Sequence, residues 1–255
     1  MRTTKWLEHR FSLFEKYCLP SIINQTCKDF EWIVLFDSTT PERFKNRITE
    51  YQQVCPQFIP VYVEPENGHQ FSQVFRTVVV KRLSGKQVIT SYLDNDDALN
   101  VHFVEDLQQR TMSLLDGTFI YYTDGLQFYT DHKYLMKIRY PRNHFVSVVE
   151  NGDPSSLKTI YGYGSHYYID RLKGAKIEYV PDIPMWCEII HERNMGNDAY
   201  FLGAKMIKDC ETLKRNFAID ETVSSGVGLY LFRFLPRYGK TFIRRCGYRL
   251  FGRQW

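Results

Sequence analysis

Over residues 6–25 the apolar positions Trp6, Leu7, Phe11, Phe14, Cys18 and Ile22 recur at helical spacing. Pro20 lies inside this stretch. It lacks an N–H and its ring collides with the preceding turn, so it must kink or divide the helix. A continuous apolar run, FEWIVLFD, then predicts a buried strand over 31–36 that ends in Asp37. Ser38-Thr39-Thr40-Pro41 supplies a hydroxyl cap and an early proline for a second helix. FIPVYVE, residues 58–64, reads as the next strand. After the Asn67-Gly68 turn, residues 71–83 return to the helical period and stop at Ser84-Gly85. QVITSYLD, residues 87–94, is the third clear strand.

Strand, helix, strand, helix, strand at this spacing predicts an α/β fold with a mostly parallel central sheet flanked by helices. Ligands of such sheets sit beyond the carboxyl ends of the strands, where Asp37 and Asp94 both fall. Farther along, residues 100–115 read as a helix, and FIYYTDGLQFYT with YLMKIRY as two strands of a hairpin turning at Asp131-His132-Lys133. Residues 142–163 carry Gly, Pro, Ser and Asn without a clear period and are read as a long functional loop. Residues 176–180 form a last strand, followed by MWCEIIHERN.

The length of 255 residues suits one domain, and 44% hydrophobic with 24% charged residues describes a globular, soluble chain. No apolar run of about 18 residues is present, and no apolar signal core follows the first residues, so a cytoplasmic location is expected. The six cysteines include no C-x-x-C pair, which argues for reduced thiols over a zinc site or a disulfide framework. The net charge of +4 is unevenly spread. Residues 223–255 contain no acid but seven Lys and Arg, so the chain divides into a domain over 1–222 and a basic aromatic tail over 223–255.

YLDNDDAL places Asp94, Asp96 and Asp97 within four residues at a strand end. Two carboxylates at this spacing can reach one hard cation, Mg²⁺ or Mn²⁺, which prefers oxygen ligands and keeps positions for substrate phosphates. The alternative is that they cap the helix starting near Asn100, though one acid would suffice for a cap and three repel one another unless a positive group sits among them.

Asp94-Asn95-Asp96 resembles the DXD motif of GT-A glycosyltransferases. RTTKWLEHRFSLFEKYCLPSIINQTCKDFEWIVLFDSTTP, SYLDNDDAL and PMWCEIIHERNMGN, in that order, are similar to a bacterial family of rhamnosyltransferases. The resemblance implies the GT-A fold and a metal-assisted transfer of a sugar, rhamnose by the family label, from a nucleotide diphosphate donor to a glycan or lipid-linked acceptor. It implies Asp94 and Asn95 near the donor diphosphate, Asp94 and Asp96 near the metal, Asp37 at the nucleoside, Arg76 as a donor-binding arginine and His191 as a further metal ligand. Imidazole at that last position favours Mn²⁺ over Mg²⁺. For Asp37 a turn cap, for Arg76 a solvated helix face, and for His191 a packed core histidine are the alternatives.

An inverting transferase needs a base for the acceptor hydroxyl. Where relatives place an acidic residue, this chain has Ser165-His166, which makes His166 the first candidate, with Asp170 and Glu188 as alternatives. A second departure is that the chain opens on a helix where GT-A domains open on a strand. A nucleotide-sugar or carbohydrate-binding module without turnover is the competing reading. A two-metal phosphohydrolase is disfavoured by the absence of a second His and Asp cluster, and nucleic-acid binding by the concentration of basic residues, unopposed by acids, in one tail.

In that tail Phe232, Phe234, Tyr238, Phe242, Tyr248, Phe251 and Trp255 alternate with the cations. Such a segment can seat its aromatics at a lipid headgroup boundary while each Lys or Arg contributes about 1 kcal/mol on an anionic leaflet. A helix packed on the domain or a disordered end are the alternatives. Deleting residues 233–255 is expected to release the protein from anionic vesicles, and raised salt to weaken binding of the intact chain. Sedimentation with vesicles of graded anionic content measures this, and equal sedimentation of both proteins would remove the membrane from the picture.

Overall fold

A computed structural model describes residues 3–192, 194 and 204–224. The first helix, α1 (Thr4–Leu13), is capped by Thr3, whose Oγ1 accepts from the Trp6 N–H at 3.3 Å. It runs into a π-helical turn, Phe14–Cys18, and then into α2 (Leu19–Ile23). The Leu19 N–H donates to the Phe14 carbonyl, five residues back. This wider turn falls at the residues Pro20 would otherwise obstruct, and the helix is divided where the proline requires it.

Strand β1 (Trp32–Asp37) pairs in parallel with β2 (Phe58–Val63), from Trp32 opposite Phe58 to Asp37 opposite Val63. Between them α3 (Glu42–Val54) buries Phe44, Ile48 and Tyr51, an i, i+4, i+7 stripe. These residues join Phe11, Phe14 and Phe58 in an aromatic core, with Phe14 stacked on Trp32 at 5.3 Å between ring centroids. α4 (Phe71–Lys81) follows and leads to β3 (Gln87–Ser91).

Beyond β3 the parallel expectation gives way. The remaining elements are β4 (Ala98–Leu99), α5 (Phe103–Thr111), β5 (Thr118–Tyr122), β6 (Asp124–Tyr129), β7 (Tyr134–Arg139), β8 (Ser147–Asn151), β9 (Lys176–Val180), β10 (Trp186–Ile190), β11 (Lys205–Ile207) and α6 (Glu211–Phe217). One sheet has the order β3-β8-β5-β9 and another β11-β7-β6-β10-β4. Among the described residues three strand pairings are parallel, β1 with β2, β6 with β10 and β5 with β9, while five are antiparallel. The fold is therefore a mixed α/β architecture, and no strand precedes α1 among the described residues.

Two other expectations are corrected. The span 142–163 is not one loop, because β8 lies within it and sits between β3 and β5. FIYYTDGLQFYT is not one strand either. It changes sheet at Thr123, whose N–H donates to Val180 O at 2.8 Å and whose carbonyl accepts from Tyr140 N at 2.7 Å. The hairpin is β6 with β7, closed by a turn in which Lys133 takes φ 55°. The predicted helix 100–115 is shortened to α5, since Asn100 instead donates through N to Met185 O and through Nδ2 to Pro184 O, both at 2.9 Å.

Cys18, Cys55 and Cys187 are buried free thiols, and no described helix is long and apolar enough to cross a membrane. The tail 225–255 lies outside the described residues.

Gly125 in β6 fixes how β10 packs, because a Cβ there would lie 2.2 Å from the Trp186 indole. That indole stacks on Phe145 at 5.0 Å and donates through Nε1 to Tyr122 O at 2.8 Å, so it has little room to retreat. Gly125→Ala is expected to destabilise the protein by about 1–3 kcal/mol through overpacking. Urea denaturation checks this, and an unchanged midpoint would contradict the assigned packing.

Candidate active site

The loop between β3 and β4 carries the acidic cluster, and the strand order sets what it meets. Because β4 pairs with β10, Asp97 is buried against that strand, where its Oδ1 accepts from the Ile189 N–H at 2.8 Å. Its Oδ2 lies 2.9 Å from His144 Nε2. The backbone around His144 is fixed by Asn143, a fully buried residue. The Asn143 amide donates to Tyr122 O and Tyr140 O, both at 2.8 Å, and its Oδ1 accepts from Phe145 N at 3.0 Å.

Burial disfavours the charged imidazolium, but the hydrogen bond and the charge of Asp97 outweigh it and raise His144 to about 9. Burial pushes Asp97 up to about 6 despite the opposing imidazole. At neutral pH the two therefore form a buried ion pair.

The neighbouring Asp96 has a different set of partners. Its Oδ2 accepts from Arg10 Nη1 at 2.8 Å and lies 2.9 Å from His191 Nε2. Burial would raise this carboxyl, yet the hydrogen bonds from His191 and Arg10 prevail and hold it below the usual range. Arg10 also donates through Nη2 to Asn95 Oδ1. Asp94 accepts from the Tyr92 hydroxyl at 2.9 Å and faces His144 Nε2 at 3.8 Å.

Asp94, Asp97 and His144 each offer a ligand atom within 4.8 Å of the others. Two carboxylate oxygens and one imidazole nitrogen at these separations suit a single divalent cation that replaces the shared proton, and the nitrogen suits Mn²⁺ better than Mg²⁺. The metal set implied by resemblance was Asp94, Asp96 and His191. Here Asp94 is common to both sets, while Asp96 is engaged with both Arg10 and His191.

A cavity of about 730 Å³ opens above the cluster. Asp94, Asp96, Asp97, His144, His166 and Glu188 all line it. Glu188 projects from β10, is 5% exposed and accepts from Gln127 Nε2 at 2.5 Å. Burial, helped by the charge of Asp97, lifts it to about 7. His166 opens a 3₁₀ turn, His166–Arg171, and its ring lies 5.9 Å from that of His144. Burial, then the neighbouring imidazolium, lowers it to about 4. Asp170 is off the cavity wall and pairs with Arg142.

A second cavity of about 490 Å³ lies at the carboxyl ends of β1 and β2. Asp37 and Asn95 line it beside Trp6, Phe11 and Phe36. Asp37 Oδ1 accepts from Thr39 N at 2.9 Å and Thr39 Oγ1 at 2.6 Å, so this side chain also caps the turn after β1. Arg76 lines neither cavity, and it ties α4 to the backbone by donating to Leu157 O and Pro154 O, both at 2.6 Å.

Sequence reasoning missed His144, Arg10 and Gln127. His144 sat in the span read as a loop, Arg10 was one polar position on an amphipathic helix, and Gln127 belonged to an unbroken strand. Their only common signal is long-range pairing, across 47 residues for His144 with Asp97 and 86 for Arg10 with Asp96.

Residues 2–201 match the family model described as Putative rhamnosyl transferase. No protein of curated function matches the chain. With the family match covering well over half of its 255 residues, the chain belongs to the putative rhamnosyl transferase family.

Proposed function

We propose that the protein is a GT-A-type glycosyltransferase that moves a sugar from a nucleoside diphosphate donor to a hydroxyl of a glycan or glycolipid acceptor, with inversion. Family membership supports sugar transfer, and the family description makes rhamnose the first sugar to test. The observation that carries the reading is the acid and histidine cluster on the floor of the larger cavity, adjoining a second cavity that holds Asp37. The nucleoside is assigned to the second cavity, where aromatic walls and the Asp37 carboxylate suit a base and a ribose. The sugar and acceptor are assigned to the larger one.

A Mn²⁺ or Mg²⁺ ion held by Asp94, Asp97 and His144 would supply Lewis-acid stabilisation to the departing diphosphate. Tyr92 orients Asp94, and Asn143 and the Ile189 N–H hold the His144–Asp97 pair in register. Glu188 is assigned the proton. Of the three candidates it alone combines a place on the cavity wall with a pKa near neutrality. Gln127 occupies its Oε2, leaving Oε1 to receive the proton of the acceptor hydroxyl. His166, neutral and weakly basic, fits a wall of the acceptor site, and Asp170 a structural ion pair.

The cation assignment is checked by titrating Mn²⁺ calorimetrically. His144→Ala is expected to weaken binding at least about tenfold, with a smaller loss for His191→Ala. The opposite ranking would return the ion to Asp94, Asp96 and His191.

The reaction is checked with a panel of nucleotide sugars and Mn²⁺. A donor at 100 times its dissociation constant adds about 2.7 kcal/mol of stability, which thermal shift detects. With that donor, turnover is expected to rise as pH passes about 7, where Glu188 loses its proton. Glu188→Gln should lower turnover by roughly 10²–10⁴-fold while donor binding persists. Binding without transfer would leave a nucleotide-sugar-binding module, and no binding at all would overturn the reading.

A further inference from the structure

The two cavities meet at one side chain. Arg10, on the last turn of α1, lines both of them, and among the described residues it is the only Lys or Arg on either wall. A nucleoside diphosphate sugar carries its negative charge in the middle, between the base and the sugar. If the base occupies one cavity and the sugar the other, the diphosphate lies at their junction. The larger cavity is strongly acidic there, with Asp94, Asp96, Asp97 and Glu188 on its wall. A phosphate entering this field needs a fixed positive partner.

We propose that Arg10 binds the donor's diphosphate at the junction of the two cavities, an inference that rests on the transferase reading above. The guanidinium is held in place from behind. Nη1 donates to Asp96 and Nη2 to Asn95, which uses two of its five N–H donors and leaves three for phosphate oxygens. The side chain is 21% exposed, so it is anchored yet reachable from solvent. Asp96 is in turn fixed by His191. Asp96 and His191 thus act as positioning residues for Arg10, and the arginine that meets the donor comes from α1, whereas Arg76 is committed to the 154–157 backbone.

The test measures two affinities on the intact chain. UDP, GDP and dTDP are titrated in the presence of Mn²⁺, and Mn²⁺ is titrated alone, for the wild type, Arg10→Gln and Arg10→Lys. The expected result is that Arg10→Gln weakens the best-bound diphosphate by about tenfold or more and Arg10→Lys by less. Mn²⁺ affinity stays within about twofold, because Arg10 is not among the cation's ligands. Equal diphosphate affinity in Arg10→Gln and the wild type would overturn the role of Arg10 while leaving the transferase reading intact. Parallel loss of Mn²⁺ and diphosphate would also overturn it, by making Arg10 a support of the loop alone. Failure of the wild type to bind any of the three would overturn the transferase reading itself.

Discussion

Asp97 is the constraint on which the rest of the site depends. A carboxylate this deeply buried costs several kcal/mol unless its charge is met, and here one oxygen takes a backbone N–H of β10 while the other takes an imidazolium. Those two contacts join three parts of the chain distant in sequence: the loop after β3, the strand β10 and the segment entering β8. Glu188 is carried to the cavity because it precedes Ile189 on that strand, and His191 because it follows. If Asp97 were merely a helix cap, none of these groups would need to converge.

Asp96 performs the complementary task toward the N-terminal helix. Its Oδ2 gathers Arg10 from α1 and His191 from the end of β10, so adjacent carboxylates draw on different elements of the fold. The repulsion inherent in three acids within four residues is thereby relieved by three different partners: a tyrosine hydroxyl, a guanidinium with an imidazole, and a second imidazole. The cluster is a junction of the whole architecture, and its local sequence alone records only half of each pair.

That division explains what the sequence made legible. Local pattern found α3, β1 and β2, which pack on the aromatic core, and α4, which buries Phe75 and Val79 in a separate cluster with Leu157, because each carries the pattern in its own residues. It also located the acidic cluster and the dividing effect of Pro20. It missed β8, whose five residues, SVVEN, include a buried glutamate. Glu150 is polar in sequence but satisfied in space, accepting from Lys158 N and Thr159 N at 2.9 Å and from the Tyr163 hydroxyl at 3.0 Å. A strand of that composition looks like a loop until its partners are known. The change of sheet at Thr123 was equally hidden, since both strands it joins are fully buried and follow one another without a turn signal. The parallel opening of the chain was extrapolated onto a second half that pairs mainly antiparallel.

The same cavity holds two histidines that pure sequence reasoning could not tell apart, and their environments separate them. His144 gains a proton from the buried carboxylate beside it, whereas His166 loses one because its burial brings no anion and the imidazolium of His144 lies nearby. Without a bound cation the first carries a charge below about pH 9, and the second stays neutral above about pH 4. Neither can exchange a proton readily at physiological pH. Asp96 and Asp97 are held as anions there by their partners, which leaves Glu188 as the group on this wall that titrates near 7. Opposing shifts within one cavity separate the groups that hold charge from the group that can move a proton. The separation arises from which carboxylate each strand places beside which imidazole, so the chemistry of the site is a consequence of the mixed sheet order.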